Sequence, residues 1–291
     1  MRLVVIGSAG SYPSADSACS AYLVQADDDA GRTWTVLLDL GNGALGPLQR
    51  FWNVRDIDAI GLSHLHADHV ADMAVLSVAR RYRPGGPLPS IPVWGPEGTD
   101  DRLIQLAGKD DPAASTDGQF DVHVWDPALP VVVGPLTLTP VPMNHSVPCF
   151  GVRVVGPAES SAARIVGTGA RARGVGTSAG ARGGGLPGEP GATVTLAYTG
   201  DTDAGPGLDA LADDADLLLA EAAFHEGRDD AFRGIHLTGQ RAAESAARGG
   251  TRHLVLTHVP AWNDPSVTLA EAGRAYDGLV TLAIPGARFL L

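Results

Sequence analysis

The stretch Ser63-His64-Leu65-His66-Ala67-Asp68-His69 places three histidines and an aspartate within seven residues. An apolar run at residues 57–62 precedes it and predicts a strand, and residues 70–81 follow with the apolar spacing of a helix. Imidazole and carboxylate groups are typical ligands of zinc and similar metal ions. The sequence therefore predicts a metal-binding loop between a strand and a helix.

The spacing inside this loop indicates more than one ion. His64 and His66 are two residues apart, so on an extended segment both imidazoles point to the same side and can bind one ion. Asp68 and His69 are adjacent in the chain and cannot share that side. They reach a neighbouring position instead, so the loop alone is compatible with two metal ions.

Three isolated residues elsewhere extend the predicted site. His145, Asp201 and His258 each follow an apolar run that predicts a strand, and loops at strand ends often present functional side chains. Gly200 allows the backbone to turn so that the carboxylate of Asp201 faces a cleft. Taken alone, such a residue is more often a cap or a hydrogen-bonded polar group than a ligand. Together with the histidine-rich loop, the three supply enough ligands for two ions.

Short apolar runs alternate with amphipathic patterns along the chain and indicate a mixed α/β fold. We expect two sheets packed face to face with helices outside. Residues 156–191 interrupt the pattern, and because 11 of these 36 residues are glycine, we expect a flexible insertion. The predicted strands are residues 3–6, 21–24, 35–40, 57–62, 91–94, 122–125, 136–141, 150–155, 193–198, 216–220 and 253–257, and the predicted helices are residues 70–81, 99–107, 238–248 and 268–276.

Composition limits the class of protein and of ligand. The chain has 291 residues and a net charge of −12, which disfavours broad binding to nucleic acid phosphates. Its length is compatible with one large domain or two small ones. Two cysteines, Cys19 and Cys149, are too few for a disulfide framework, and no apolar run is long enough for a membrane helix or a signal peptide. We therefore expect a cytoplasmic protein that binds small substrates and does not associate with membranes.

At these positions the sequence resembles the metallo-β-lactamase superfamily. Asp39, in Leu37-Leu38-Asp39-Leu40-Gly41, matches the family's first motif, an aspartate that supports the ligand loop. The resemblance implies a four-layer αββα sandwich, here a single domain over residues 1–291 with an insertion at residues 156–191. It runs from about Arg2 to Pro260 and rests on His64-Leu65-His66-Ala67-Asp68-His69, His145, Thr199-Gly200-Asp201 and His258.

The resemblance also implies a centre with two divalent metal ions, usually zinc, with manganese or iron as alternatives. A hydroxide held between two cations attacks phosphodiesters at neutral pH, so hydrolysis is the implied chemistry, and Asp68 counts among the catalytic residues as well as the ligands. The implied ligands are His64, His66 and His145 for one ion, Asp68, His69 and His258 for the other, and Asp201 as the bridge.

Two further residues resemble the ribonuclease Z branch of the superfamily. Glu221 lies in Ala220-Glu221-Ala222-Ala223, similar to that branch's His-Glu-Ala-Thr motif, although only the Glu-Ala pair is retained. His236, in His236-Leu237-Thr238, matches its His-x-Thr motif, with Thr238 as the N-cap of the next helix. The resemblance implies that Glu221 orients His236, which donates a proton to the leaving oxygen as a general acid.

Other segments depart from ribonuclease Z and weaken the case for a tRNA substrate. Residues 13–18 lack the basic side chains with which that branch grips tRNA, and residues 41–44 replace its Gly-Glu-Gly-Thr segment. The insertion at residues 156–191 lies where the tRNA-binding arm of that branch occurs, but its surplus of positive charge is small. We favour an unstructured insertion and keep an RNA-contacting arm as the alternative.

Residues 40–46, 69–73 and 79–82 resemble actinobacterial cyclic-nucleotide phosphodiesterases with this fold. The expected function is hydrolysis of a 3′,5′-cyclic nucleotide, with Asn42, Asn144 or Arg80 as substrate contacts. Three alternatives remain: a ribonuclease Z-type tRNA 3′ endonuclease, another hydrolase of this fold acting on a thioester or lactam, and a binding protein without catalysis. Asp201 disfavours a lactamase, since two-zinc β-lactamases generally carry cysteine there. We also expect a homodimer, because relatives often form one.

Overall fold

A computed structural model describes residues 1–108, 118–159 and 192–291 of the chain. Within these ranges the strands form two sheets, one of nine strands and one of seven. The mixed α/β class predicted from the sequence is confirmed. The Gly-rich insertion predicted at residues 156–191 lies outside the described residues from residue 160 to residue 191, and the strand before it continues to Pro157.

The first sheet consists of β1 (Arg2–Gly10), β2 (Ala18–Cys19), β3 (Ala21–Asp27), β4 (Thr33–Leu38), β5 (Ala59–Gly61), β6 (Ile91–Gly95), β7 (Phe120–Val124), β14 (Val259–Pro260) and β16 (Arg288–Leu290). Its order is β14-β1-β3-β4-β5-β6-β7, and β2 and β16 also pair with β1. The strands from β4 to β7 are parallel, so their carboxyl ends lie at the same edge. β1 is buried along almost its whole length, because both faces of the sheet are covered.

The second sheet consists of β8 (Val131–Val133), β9 (Leu136–Pro142), β10 (Phe150–Pro157), β11 (Thr193–Tyr198), β12 (Leu217–Glu221), β13 (His253–Thr257) and β15 (Leu279–Leu282). Its order is β15-β13-β12-β11-β10-β9-β8. β11, β12, β13 and β15 run parallel, whereas β8 to β11 pair as an antiparallel meander.

Three apolar clusters separate four layers. The central cluster combines residues of both sheets, including Val5 and Leu219, and fills the space between them. A second cluster packs the first sheet against four helices, and a third packs the second sheet against three others. This is the αββα sandwich predicted from the sequence. The helices are α1 (Leu45–Leu48), α2 (Ala67–Val70), α3 (Met73–Arg81) and α4 (Thr99–Ala107) on one side, and α5 (Pro206–Ala212), α6 (Gly239–Gly249) and α7 (Pro265–Ala275) on the other, with a 3₁₀ turn at Val54–Asp56.

None of the helices in the described ranges is both long enough and apolar enough to cross a membrane.

The single helix predicted over residues 70–81 is wrong at its start. The structure has α2 and α3 instead, separated by a turn at residues 71–72. The carboxylate of Asp72 accepts hydrogen bonds from the N–H groups of Gly43 (3.0 Å) and Leu45 (2.8 Å), and its own N–H donates to the carbonyl of Leu40. These bonds compete with helical ones and tie the histidine-rich loop to residues 40–45. No local pattern in the sequence records them.

Short elements also carried too little local signal to be predicted. α5 was missed because Gly205-Pro206-Gly207 is typical of a turn, whereas Pro206 occupies the first turn of the helix, where its missing N–H is not needed. β14 and β16 have two and three residues, and they exist through pairing with β1.

The parallel strands position the candidate residues. Asp39 follows β4 and His64 lies just beyond β5, while Asp201 follows β11, Glu221 ends β12 and His258 follows β13. Because the carboxyl ends of parallel strands share one edge of a sheet, each sheet delivers its chemistry-bearing side chains to the same edge. The two edges meet at the candidate site described below.

We expect acid to destabilise the fold through His253. Burial lowers the pKa of this imidazole from its ordinary 6.5 to about 4. Between these pH values the unfolded chain binds a proton that the folded chain excludes, so the stabilisation present above pH 6.5 is lost as the pH falls toward 4. The shift corresponds to about 3 kcal/mol of unfolding free energy.

The test compares wild type with His253→Gln, which retains a polar partner for the Thr281 hydroxyl at 2.9 Å. The urea midpoint of the variant should depend less on pH between 4 and 6.5. Equal pH dependence in the two proteins would contradict the prediction.

Candidate metal centre

Three imidazoles form the first group of potential ligands. His64, His66 and His145 have ring nitrogens within 4.8 Å of one another. His66 Nδ1 lies 3.0 Å from His64 Nε2 and 3.4 Å from His145 Nε2. The two-residue spacing therefore places His64 and His66 on one side, and His145 joins them from the loop after β9.

Asp68, His69, Asp201 and His258 form the second group, also with ligand atoms within 4.8 Å. His258 Nε2 lies 3.1 Å from Asp68 Oδ2 and 3.3 Å from His69 Nε2. Asp68 and His69 belong to α2, whereas His258 comes from the far end of β13. The adjacent Asp68 and His69 thus face a different group from that of His64 and His66, in agreement with the spacing.

Asp201 lies between the two groups. Its Oδ2 is 3.7 Å from His64 Nε2, and its Oδ1 is 3.2 Å from His69 Nε2 and 3.4 Å from His258 Nε2. Oδ1 is buried and has no partner in hydrogen-bond geometry among the described residues. A buried carboxylate oxygen without a partner is costly, and a coordinated cation removes that cost. Both oxygens of Asp201 are therefore oriented for ligation on either side.

Hydrogen bonds leave three imidazoles with a free Nε2 toward the centre. His69 Nδ1 donates to Asp39 Oδ2 (2.7 Å), and His145 Nδ1 donates to a backbone carbonyl (2.8 Å). His64 Nδ1 lies 3.0 Å from Ser63 Oγ, which itself donates to Asp39. With the bonded proton on Nδ1, the Nε2 lone pair of each ring faces the group whenever the ring is neutral, as it must be to bind a cation. Nitrogen lone pairs combined with carboxylate oxygens fit zinc or a similar divalent cation.

Asp39 supports the histidine-rich loop from below. Its side chain is fully buried, and Oδ1 accepts a hydrogen bond from Ser63 N at 2.7 Å. Oδ2 accepts bonds from Ser63 Oγ and His69 Nδ1, each at 2.7 Å, and from Tyr198 Oη at 2.6 Å. Four donors compensate the burial of this carboxylate. The sequence predicted Asp39 but not Tyr198, which reaches it from the second sheet.

Backbone strain concentrates at the same place. Four non-glycine residues in the described ranges have a positive φ, and three of them lie at the site: Ser11 (63°), Asp39 (57°) and His258 (54°). Such a conformation costs on the order of 1–3 kcal/mol and persists only where the surrounding structure enforces it. Ser11 is held by a hydrogen bond from its N–H to Asp68 Oδ2 at 2.9 Å. These strained backbone conformations orient the three residues toward the site.

Glu221 and His236 lie beside the second group. His236 Nδ1 donates to Glu221 Oε1 at 2.8 Å. The same carboxylate accepts bonds from Thr202 N (2.8 Å, to Oε1) and Ala223 N (3.0 Å, to Oε2). Glu221, His236 and His258 also form a third group that could hold an ion. Because hydrogen bonds already engage both Glu221 oxygens, the geometry favours an orienting role for this carboxylate.

Burial and charge shift the pKa values in the site. Burial lowers the pKa of His64 well below its usual value, and neighbouring histidines act in the same direction. Burial also opposes protonation of His69, but the nearby carboxylates, Asp201 first, hold its pKa well above the usual value. For His236, burial is likewise outweighed by the charge and hydrogen bond of Glu221, which raise its pKa to about 9. His236 therefore carries both ring protons at neutral pH.

A model of a known protein family covers this whole arrangement. The model, described as the beta-lactamase superfamily domain, matches residues 34–259, a range that includes every potential ligand from His64 to His258. The chain belongs to the metallo-β-lactamase superfamily. The resemblance inferred from the motifs is confirmed at this level.

Curated relatives support membership in the superfamily along the whole chain. An uncharacterized protein of Mycobacterium leprae is 32% identical over 293 residues, covering 99% of this chain and 88% of the relative. The probable metallo-hydrolase YhfI of Bacillus subtilis is 26% identical over 288 residues, covering 98% of each. Ribonuclease Z of Myxococcus xanthus is 28% identical over 304 residues, covering 98% of this chain and 96% of the relative. Similarity to these proteins thus extends along nearly the whole chain.

Solved structures agree with the fold. The crystal structure of Bacillus subtilis YhfI matches with a TM-score of 0.74 at 24% identity, covering 99% of this chain and 98% of that one. A diphosphatase of the PhnP family matches with a TM-score of 0.68 at 19% identity, covering 100% of this chain and 97% of that one. At these identities the matches establish the superfamily's fold.

Two residues that position the His236 loop were missed by the sequence analysis. Arg241 and Asp203 form a buried ion pair, and Asp203 Oδ2 accepts a hydrogen bond from Gly234 N at 2.7 Å. Arg241 Nη1 also donates to the carbonyl of His236 at 3.3 Å. The only local signal was the position of Asp203 two residues after Asp201. The pairing itself joins residues 38 positions apart and is visible only in the folded structure.

The three residues expected to contact the substrate lie in different positions relative to the candidate site. Asn144 lies next to His145, and its Nδ2 donates to the Ala204 carbonyl at 3.2 Å. Asn42 is exposed on the loop after β4. Arg80 is buried, and its guanidinium donates to the backbone carbonyls of Val54 (3.3 Å) and Pro89 (2.6 Å). The structure therefore does not bring Arg80 to the site, because these carbonyls hold it beneath α3.

We expect Asp39→Asn to weaken metal binding about ten- to hundredfold, because the amide cannot hold the protonated nitrogen of His69 as the carboxylate does. Asparagine tolerates the positive φ at this position, so the variant should fold. A competition titration with a chromophoric chelator measures the affinity.

Tyr198→Phe is the matched control, because it removes one of the four donors to Asp39 and leaves the carboxylate in place. Its effect on affinity should be smaller. Unchanged metal affinity in a folded Asp39→Asn protein would contradict the assigned role.

Proposed function

We propose that this protein is a metallo-hydrolase, namely a phosphodiesterase that uses two divalent cations to open 3′,5′-cyclic nucleotides. The observation that carries the proposal is the Glu221–His236 pair, joined at 2.8 Å, next to the histidine and aspartate groups. An oriented, protonated imidazole beside a metal centre suits a reaction with a poor alkoxide leaving group. Hydrolysis of a sugar phosphodiester is such a reaction.

The cations would be held by the residues that the sequence analysis assigned. His64, His66 and His145 would hold one ion, Asp68, His69 and His258 the other, and Asp201 would contact both. Zinc is favoured by the imidazole-rich set, and manganese is an alternative. When bound, the two cations activate water at neutral pH and neutralise charge on the phosphoryl group.

His236 would act on the leaving oxygen. Its Nδ1 proton is committed to Glu221, so Nε2–H is the proton available for transfer. Next to bound cations the His236 pKa would fall from about 9 toward neutrality, where a general acid is most effective. Glu221 is the positioning residue that fixes the ring and its protonation.

The chain's charge supports a small substrate. A net charge of −12 repels a polyanion at long range, whereas a cyclic nucleotide carries a single phosphate charge that two cations can bind locally. Names of similar proteins agree with phosphorus chemistry, since one is a ribonuclease and another a diphosphatase.

A ribonuclease Z-type activity on tRNA 3′ ends is the second candidate. It is favoured by the match to the Myxococcus xanthus ribonuclease Z over 98% of this chain. It is disfavoured by residues 13–18, which carry no basic side chain. Hydrolysis of a thioester uses the same metal ligands, but a thiolate leaves without a proton donor, so the Glu221–His236 pair would have no role. A lactam substrate is disfavoured by Asp201, for the reason given from the sequence.

The first test offers metal-loaded protein two substrates, 3′,5′-cyclic AMP and a tRNA precursor with a 3′ trailer, near neutral pH. We expect turnover of the cyclic nucleotide and none of the precursor. His66→Ala, which removes one proposed ligand, is the control for contaminating activity. Cleavage of the precursor alone would establish the second candidate instead, and inactivity toward both would overturn phosphodiester hydrolysis.

We expect His236→Ala to lower kcat on cyclic AMP by about 100- to 10,000-fold, because the ribose oxygen must then leave without a proton. Bis(p-nitrophenyl) phosphate is the matched substrate, since p-nitrophenolate leaves without protonation and should be hydrolysed at a nearly unchanged rate. Equal losses on both substrates, with metal content retained, would contradict a general-acid role.

A further inference from the structure

Two exposed aromatic side chains meet at the rim of the metal centre. Tyr12 is 46% exposed and Trp262 is 57% exposed, and their ring centroids are 5.3 Å apart with a 39° angle between the planes. Large aromatic side chains usually bury most of their surface, so a contacting pair left open to solvent is unusual. An exposed apolar pair beside a polar site indicates a contact surface for a ligand.

The backbone places Tyr12 next to Ser11, a residue that hydrogen-bonds a potential metal ligand. Ser11 donates its N–H to Asp68 Oδ2 at 2.9 Å, and Tyr12 is the next residue, with its own N–H bonded back to the Gly10 carbonyl at 2.7 Å. The positive φ of Ser11 makes this tight turn possible. Consecutive Cα atoms are about 3.8 Å apart, so Tyr12 starts very close to the second group.

Trp262 reaches the same rim from the other end of the chain. It lies four residues after His258, on the loop that follows β14. β14 pairs in parallel with the end of β1, with Gly10 opposite Pro260. This strand pairing holds the loops of Tyr12 and Trp262 side by side, so the contact between the two rings depends on the sheet.

Two further aromatic residues near the centre, Phe224 and Phe232, pack around His236. The Phe224 ring packs edge-on against His236 at 4.9 Å, and the exposed Phe232 lies 6.3 Å from Phe224. Tyr12 and Trp262 contact no potential ligand ring among the described residues. Their exposed faces are therefore available to a bound molecule.

We propose that Tyr12 and Trp262 form a stacking platform for the base of a nucleotide whose phosphate lies at the metal centre. The proposal rests on the proposed function for the position of the phosphate. A nucleotide places its base one ribose away from its phosphate, and Tyr12 directly follows Ser11, whose N–H contacts the Asp68 carboxylate. Every nucleobase has an aromatic face, and stacking on tyrosine or tryptophan requires no charge. This suits an acidic protein that must recognise an anion.

The test measures binding, which does not depend on turnover. Metal-loaded protein is titrated with AMP and with ribose 5-phosphate in a calorimeter, because the two differ only in the base. Wild type should bind AMP at least about fivefold more tightly, and up to about a hundredfold. Trp262→Leu should reduce the ratio of the two Kd values to near one, while Trp262→Phe should retain most of it.

The matched control is Tyr82→Leu, which removes an aromatic side chain of similar exposure (58%) at the end of α3. It should leave the ratio unchanged. Equal Kd values in wild type, an unchanged ratio in Trp262→Leu, or no AMP binding at millimolar concentration would overturn the platform. A base preference without hydrolysis of cyclic AMP would support the platform and refute the proposed function, and hydrolysis without a base preference would do the reverse.

Discussion

The buried carboxylate of Asp39 is the interaction on which the site depends. It lies at the end of β4 in the first sheet and accepts a hydrogen bond from Tyr198, which ends β11 in the second. It also holds the Ser63 backbone and the His69 ring. One side chain therefore joins the two sheets, the start of the histidine-rich loop and a ligand ring. A carboxylate so deeply buried is tolerable only while all of these donors remain in place.

Next to Asp39 the chain brings together carboxylates whose negative charges repel one another when no cation is bound, and a histidine whose burial disfavours its charged form. Asp68, Asp201 and Glu221 are carboxylates within one small volume, and His64 is buried so deeply that its charged form is disfavoured. The left-handed backbone at His258 adds strain. Such an arrangement lowers the stability of the cation-free fold, as is common at binding sites. Its cost is met by the two sheets, whose central cluster is almost fully buried.

The sequence predicted those parts of the site that are encoded locally or by strong spacing. His64, His66, Asp68 and His69 could be assigned because they lie within six residues and alternate in direction. The N-cap at Thr238 is confirmed for the same reason, since its hydroxyl accepts the Arg241 N–H three residues later. The remaining groups depend on contacts that link distant segments. Asp72 interrupts the predicted helix because its carboxylate bonds to the backbone of the segment at residues 40–45. Tyr198 bonds to Asp39 although the two residues are 159 positions apart. No periodicity carries such information.

If the substrate is a nucleotide, as proposed, recognition at this centre has to reconcile the negative charge of the protein with an anionic ligand. Long-range attraction is absent at a net charge of −12, so selectivity has to come from short-range contacts once the phosphate is bound. Cations bind any phosphate and cannot distinguish a nucleotide from another ester. An uncharged aromatic surface at a fixed distance from the phosphate site can make that distinction, because it stacks on a flat base and does not interact with the phosphate charge. The pairing of β1 with β14 holds the Tyr12 and Trp262 loops together, close to the strand end that carries His258, and the Ser11 N–H bonds to Asp68 on α2.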